Sequence, residues 1–167
     1  VLSGRALKVL VPAIKDVPES IGKIASGVPY RDFVTGGLLV DKASVKKVSY
    51  GKKNSGKKRK TALLPDCWIY VQERAVKMGR IQIFNNWSPY LVKDAENTVF
   101  LGLEYFCEEG DAMWNMSPEE WRNFGRKELI QMGILSSGAK GRLAHCEKVK
   151  KAYPAYFDTY AEMPKLR

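Results

Sequence analysis

Apolar positions fall in short runs along this chain, and their spacing predicts more strand than helix. Residues 31–41 (RDFVTGGLLVD) are apolar on both alternations through Phe33, Val34, Leu38, Leu39 and Val40, the pattern of a strand buried on two faces. The Gly36-Gly37 pair inside it weakens a strand. It marks either a bulge or the close approach of something bulky, a ligand or a packed aromatic. Residues 66–73 (DCWIYVQE) and 80–84 (RIQIF) flank the turn-like ERAVKMG and predict an antiparallel hairpin. A strongly β-prone run fills 98–106 (TVFLGLEYF), and 143–151 (LAHCEKVKK) is a further candidate strand leading into AYPAYFDTY. Between 84 and 98, NNWSPYLVKDAEN reads as a polar-aromatic loop.

One helix is well specified. Ser117 stands at the N-cap, Pro118 at the first helical position and Glu120 where a capping box wants it. Trp121, Phe124, Leu129 and Met132 follow as an apolar stripe, and Gly133 suits the C-terminal cap. Near the start, residues 5–15 (RALKVLVPAIK) suit a helix or a strand end, with Pro12 limiting a helix. Pro18-Glu19 opens a short helix through Ile24, stopped by Gly27 and Pro29. Strands outnumber helices and do not alternate with them. The expected fold is α+β, a mainly antiparallel sheet flanked by a few helices, in a single domain over 1–167.

Length and composition agree with a globular chain. At 167 residues, 45% hydrophobic and 11% aromatic, it can bury a substantial core. No apolar run approaches the roughly 18 residues of a membrane span. The formal charge of +10 is unevenly placed. Residues 46–60 (KKVSYGKKNSGKKRK) hold eight of the 28 basic residues and no acid, whereas 94–120 hold eight acids and no Lys or Arg. The basicity is thus one tract, expected to be a flexible, solvated loop rather than a charged face of the fold. Cys67, Cys107 and Cys146 lie about 40 residues apart, without metal-ligand spacing, and read as reduced structural residues of a cytoplasmic protein.

The catalytic motifs that come near fail on chemistry. Gly51 to Lys58 (GKKNSGKK) approaches a P-loop, but Lys58 replaces the hydroxyl that would meet magnesium. No G-x-G-x-x-G occurs, so the chain lacks the usual dinucleotide fingerprint. His145 is the only histidine, read as a structural hydrogen bonder; no metal site and no catalytic residue is expected. Two aromatic-polar clusters remain: Asn85-Asn86-Trp87-Ser88-Pro89-Tyr90 and Tyr153-Pro154-Ala155-Tyr156-Phe157. They suit either ordinary sheet-edge packing or the flat walls and directed hydrogen bonds of a small-molecule pocket.

Read in line, PYRDFVTGGLLVDK, PDCWIYVQE, GRIQIFNNWSPYLVKDAENTVFLGLEYFCEEGD and KAYPAYFDTY resemble bacterial flavoproteins. The likeness is to amine-oxidase-like, protoporphyrinogen-oxidase-like and UDP-galactopyranose-mutase-like members, and it is most specific from Gly79 to Asp111. It implies the substrate-binding domain of an FAD-dependent oxidoreductase or mutase, shaping the pocket over the flavin. The FAD-binding portions are expected to be absent from this chain, which fits the missing initiator Met and glycine fingerprint together. FAD is then expected in the full-length protein and not on this fragment, which alone is expected to be inactive. The implied substrate is a small molecule, a nucleotide sugar or an amine. The substrate-binding candidates are Arg80, Asn85, Asn86, Trp87, Tyr90, Tyr153 and Tyr156. Arg80 would meet a phosphate, and Tyr153 before Pro154 matches a tyrosine-proline pair of the mutases.

The partner expected is the FAD domain of the same protein, and the surface facing it would make the fragment weakly self-associating. Two other readings stand beside this one. A basic nucleic-acid-binding module would use Lys52, Lys53, Lys57, Lys58 and Arg59 and lose affinity steeply with salt. An interaction domain would use its exposed aromatics to form a large apolar interface.

Overall fold

Proline and glycine set the limits of the first elements. In the computed structural model, which describes residues 4–50, 60–155 and 158–166 (side chains at 6–47, 63–142, 145–155 and 158–165), helix α1 runs over Gly4–Leu10. It tightens into a 3₁₀ turn at Val11–Ala13, where Pro12 cannot donate to a longer helix. The ambiguity over 5–15 therefore resolves as helix. Helix α2 covers Glu19–Gly27, three residues beyond the expected end at Ile24.

The chain packs as two compact units: Val1–Phe33, Cys107–Trp114 and Lys148–Arg167 form the first, Val34–Phe106 and Asn115–Glu147 the second. In the first, α2 buries Ile24 and Ala25 and packs on a 3₁₀ segment over Asp158–Leu166. Gly27 admits the Thr159 methyl there, where an added Cβ would stand 2.8 Å from it. Asp32 ties this unit together: its carboxylate accepts from the backbone N–H of Glu109 at 3.0 Å and of Lys151 at 2.6 Å. Lys151 is held at φ +52°, an unusual conformation for a residue with a side chain.

The strands are β1 (Tyr30–Asp41), β2 (Val48–Tyr50), β3 (Lys60–Ala62), β4 (Trp68–Tyr70), β5 (Arg80–Ile83), β6 (Thr98–Cys107) and β7 (Gly141–Pro154). Five of them form one sheet in the order β4-β5-β6-β1-β7; β4, β5 and β6 are joined antiparallel. The expected α+β class with a mainly antiparallel sheet is what the chain adopts. Residues 34–41 of β1 and 141–147 of β7 belong to the second unit with β4, β5 and most of β6.

The Lys-rich tract is not loop throughout. Val48–Tyr50 pairs antiparallel with Lys60–Ala62 in a separate two-stranded ribbon, because Val48, Tyr50 and Thr61 favour extended backbone. Residues 51–59, which include the P-loop-like stretch and the five cations of the nucleic-acid reading, lie outside the described residues.

Helix α4 (Pro118–Gln131) carries both halves of the expected capping box: Ser117 Oγ accepts from Glu120 N–H at 3.3 Å, and the Glu120 carboxylate accepts from Ser117 N–H at 2.8 Å. Gly133 ends it at φ +73°. The helix lays Trp121, Gly125, Glu128 and Leu129 on the second unit's sheet. Trp121 lies over Gly36, where an added Cβ would come within 2.4 Å of the indole. The close approach marked by the Gly36-Gly37 pair is thus a packed aromatic. In return Gly125 admits Leu103, whose methyl would stand 2.7 Å from an added Cβ. Tyr105 completes the layer, edge-on to Trp121 at 5.6 Å.

Two outcomes follow. Gly36→Ala forces the indole to move and should destabilise by about 1–3 kcal/mol in urea unfolding, whereas Gly138→Ala, with open space around it, should be near neutral. The Tyr105 hydroxyl is pushed far above its ordinary range, first by burial and then by the neighbouring Glu128 carboxylate. Stability linked to the protonated phenol is fully present below the unfolded-state value near 10 and is lost as pH rises above it. Alkaline unfolding should therefore be shallower in Tyr105→Phe than in the parent.

Candidate functional site

Helix α4 covers one face of the second unit's sheet, and side-chain alternation sends the remaining strand residues to the other. Two rungs cross that face. Tyr70 opposes Arg80, which opposes Glu104; Trp68 opposes Gln82, which opposes Gly102. Gly102 leaves room for the ring of Phe84, which in turn meets Phe100 at 4.8 Å. Gly79 gives the same room to Phe106.

At the centre is a buried ion pair. Arg80 and Glu104 are joined through the Arg80 Nη2, with side chains 7% and 4% exposed. Gln82 Nε2 donates to the other Glu104 oxygen at 2.5 Å. Aromatic rings roof the guanidinium: its carbon lies 4.9 Å from the Trp68 centroid, 5.5 Å from Phe106 and 6.0 Å from Tyr70. Such cation–π contacts strengthen where water is excluded. Trp68 also meets Tyr70 at 5.9 Å, nearly parallel, and Trp87 at 6.3 Å. The rings keep their outer surfaces open: Trp68, Tyr70, Trp87 and Phe106 all rank among the large exposed apolar side chains. The result is an aromatic platform over a fixed charge pair.

Asn85, Asn86 and Trp87 lie in a short helix, α3 (Phe84–Trp87), and not in a loop. The amides shape it. Asn85 bridges strand β6, donating to Thr98 O at 2.9 Å and accepting from Phe100 N–H at 2.9 Å. Asn86 donates to the carbonyls of Leu64 and Asp66. Trp87 Nε1 donates to Cys67 O at 3.1 Å, fixing the indole beside Trp68. The asparagines therefore hold backbone in place, and Trp87 presents a ring. Tyr90 stands 94% exposed on the following turn.

Tyr153 belongs to the first unit, where it meets Phe33 edge-on at 5.8 Å. Tyr156 lies outside the described residues. The structure thus groups Arg80, Asn85, Asn86 and Trp87. It adds Trp68, Tyr70, Glu104 and Phe106, which sequence reasoning missed. The aromatic alternation in WIY and the lone acid in TVFLGLEYF were the signals for them. His145 is exposed and reaches the Glu147 carboxylate at 3.1 Å. Among the described residues no group of three His, Cys, Asp or Glu side chains is placed to hold a metal, and no helix is long and apolar enough to cross a membrane.

The chain has a mixed α+β fold, an antiparallel sheet with helices. Among solved structures it is similar to reduced UDP-galactopyranose mutase, with a TM-score of 0.59 and 17% identity over 88% of this chain. At that identity the likeness is one of fold alone. The match spans 27% of the mutase chain, so the chain corresponds to about a quarter of that protein. No family model matches the chain, and no curated protein does.

Removing one partner of the central pair leaves the other charge buried. Glu104→Ala should cost about 3–5 kcal/mol in chemical denaturation. Trp87→Phe, which loses one hydrogen bond from a half-exposed ring, should cost about 1 kcal/mol.

Proposed function

We propose that this chain is the substrate-binding part of an FAD-dependent enzyme and that its aromatic platform forms one wall of the substrate pocket. The observation that carries the reading is the platform itself: open rings of Trp68, Tyr70, Trp87 and Phe106 fixed around the Arg80–Glu104 pair. The fold likeness to UDP-galactopyranose mutase supports the enzyme class.

The described residues do not themselves fit a dinucleotide cradle. The glycines that leave room for close approach are filled from within: Gly36 by Trp121, Gly102 by Phe84, Gly125 by Leu103 and Gly141 by Leu38. FAD would therefore be held by other parts of the full-length protein. What this chain contributes is binding. Flat indole and phenol faces stack on a sugar or nucleobase, and the ion pair, by fixing the rings, lowers the entropy lost on binding. Arg80 acts from beneath the rings as an organiser. A nucleotide sugar is the substrate class that such a surface suits best.

The experiment is calorimetric titration of UDP-galactose into the purified full-length protein, with its visible absorption recorded. The expected result is a protein with the bands of an oxidised flavin and saturable binding, weakened about tenfold by Trp68→Ala through one lost stacking contact. A colourless protein that ignores UDP-galactose overturns the reading.

A further inference from the structure

A cavity of about 530 Å³ lies in the second unit, at the end of β6 away from the platform. Phe100, on its wall, is four residues from Glu104, about 13 Å along an extended strand. The volume is in the range that encloses small organic ligands. Its walls are mainly apolar, built by Leu39 of β1, Leu91, Val92 and Phe100. Among the described residues, none of the substrate-binding candidates Arg80, Asn85, Asn86, Trp87, Tyr90 and Tyr153 lines it.

The charged residues around this cavity are asymmetric. Lys93 and Arg142 line it, and among the described residues no ion pair engages either. The one carboxylate, Asp94, is turned to its own chain. It accepts from the Asn97 backbone N–H at 3.2 Å and from Asn97 Nδ2 at 3.1 Å, closing the turn into β6. Thr98, the remaining polar residue, donates its hydroxyl to Asp94 O. The wall thus offers two cations that no ion pair among the described residues engages, beside an apolar surface. An apolar ligand would leave the cations without partners, and a fully hydrated anion would leave the apolar walls wet.

We infer that this cavity is a second binding site, for a small amphipathic monoanion whose apolar body lies against Leu39, Leu91 and Phe100 and whose carboxylate meets Lys93 and Arg142. Arg142 suits a bidentate contact, and Lys93 adds a point charge. The inference does not depend on flavin or on the platform's substrate.

The test is calorimetric titration of the full-length protein with 4-phenylbutyrate, 4-phenylbutanol and 4-phenylbutylamine. These probes share one apolar body and differ in charge. The expected order is carboxylate tightest, alcohol about tenfold weaker and amine weakest. Arg142→Gln and Lys93→Gln, both at exposed positions, should each weaken the carboxylate three- to tenfold and leave the alcohol unchanged. Leu39→Trp, which fills the cavity, should remove all binding while Arg142→Gln shows that the fold tolerates change there. Equal affinity for acid and alcohol, indifference to both charge substitutions, or no binding of phenylbutyrate overturns the proposal. A colourless protein that still discriminates in this way would retire the flavoenzyme reading and leave this site standing.

Discussion

The exchange of side chains between helix α4 and the sheet is the contact on which the second unit depends. Trp121 enters the gap left by Gly36, and Leu103 enters the gap left by Gly125. Each glycine removes a Cβ where the opposing side chain must come closest, so the helix rests against backbone and not on side-chain tips. Tyr105 closes the layer against both Trp121 and Phe124. Because one face of the sheet is sealed this tightly, the residues that alternate with Leu101, Leu103 and Tyr105 are left to the other face, where the aromatic platform stands.

Each face also carries a buried carboxylate, and the two are satisfied differently. Glu128 of α4 accepts from the backbone N–H groups of Lys77 and Met78, at 2.7 and 3.1 Å. That anchors the connection between β4 and β5 to the helix. Glu104 accepts from Gln82 and pairs with Arg80. A carboxylate satisfied by backbone fixes the path of the chain; one satisfied by a long side chain fixes that side chain. The first sets where β5 begins, and the second sets where the rings around Arg80 can lie.

What the sequence made legible was local. The capping box of Ser117 and Glu120 spans four residues, and the structure reproduces it bond for bond. The pairing of 66–73 with 80–84 was readable from period and turn, although β4 shrinks to Trp68–Tyr70. The Gly36-Gly37 pair announced a close approach. Its occupant, Trp121, lies some 85 residues on and could not be told from a ligand by spacing. The Arg80–Glu104 pair was hidden for the same reason: only strand register brings them opposite each other. Asn85 and Asn86 were singled out as ligand-facing because amides suit that role. Three-dimensional placement gives their hydrogen bonds to neighbouring backbone.

The strand order has a consequence for the ribosome. β1 lies between β6 and β7, yet it is synthesised before both, and β7 begins 100 residues after β1 ends (141 against 41). At ordinary elongation rates that interval is about 5–20 s. A segment holding Val34, Leu38 and Val40, all buried in the finished fold, has no neighbour on either side until β6 is made, and for the rest of that time it has β6 on one side only. The nascent chain therefore carries a strand with one open, aggregation-prone edge until β7 follows.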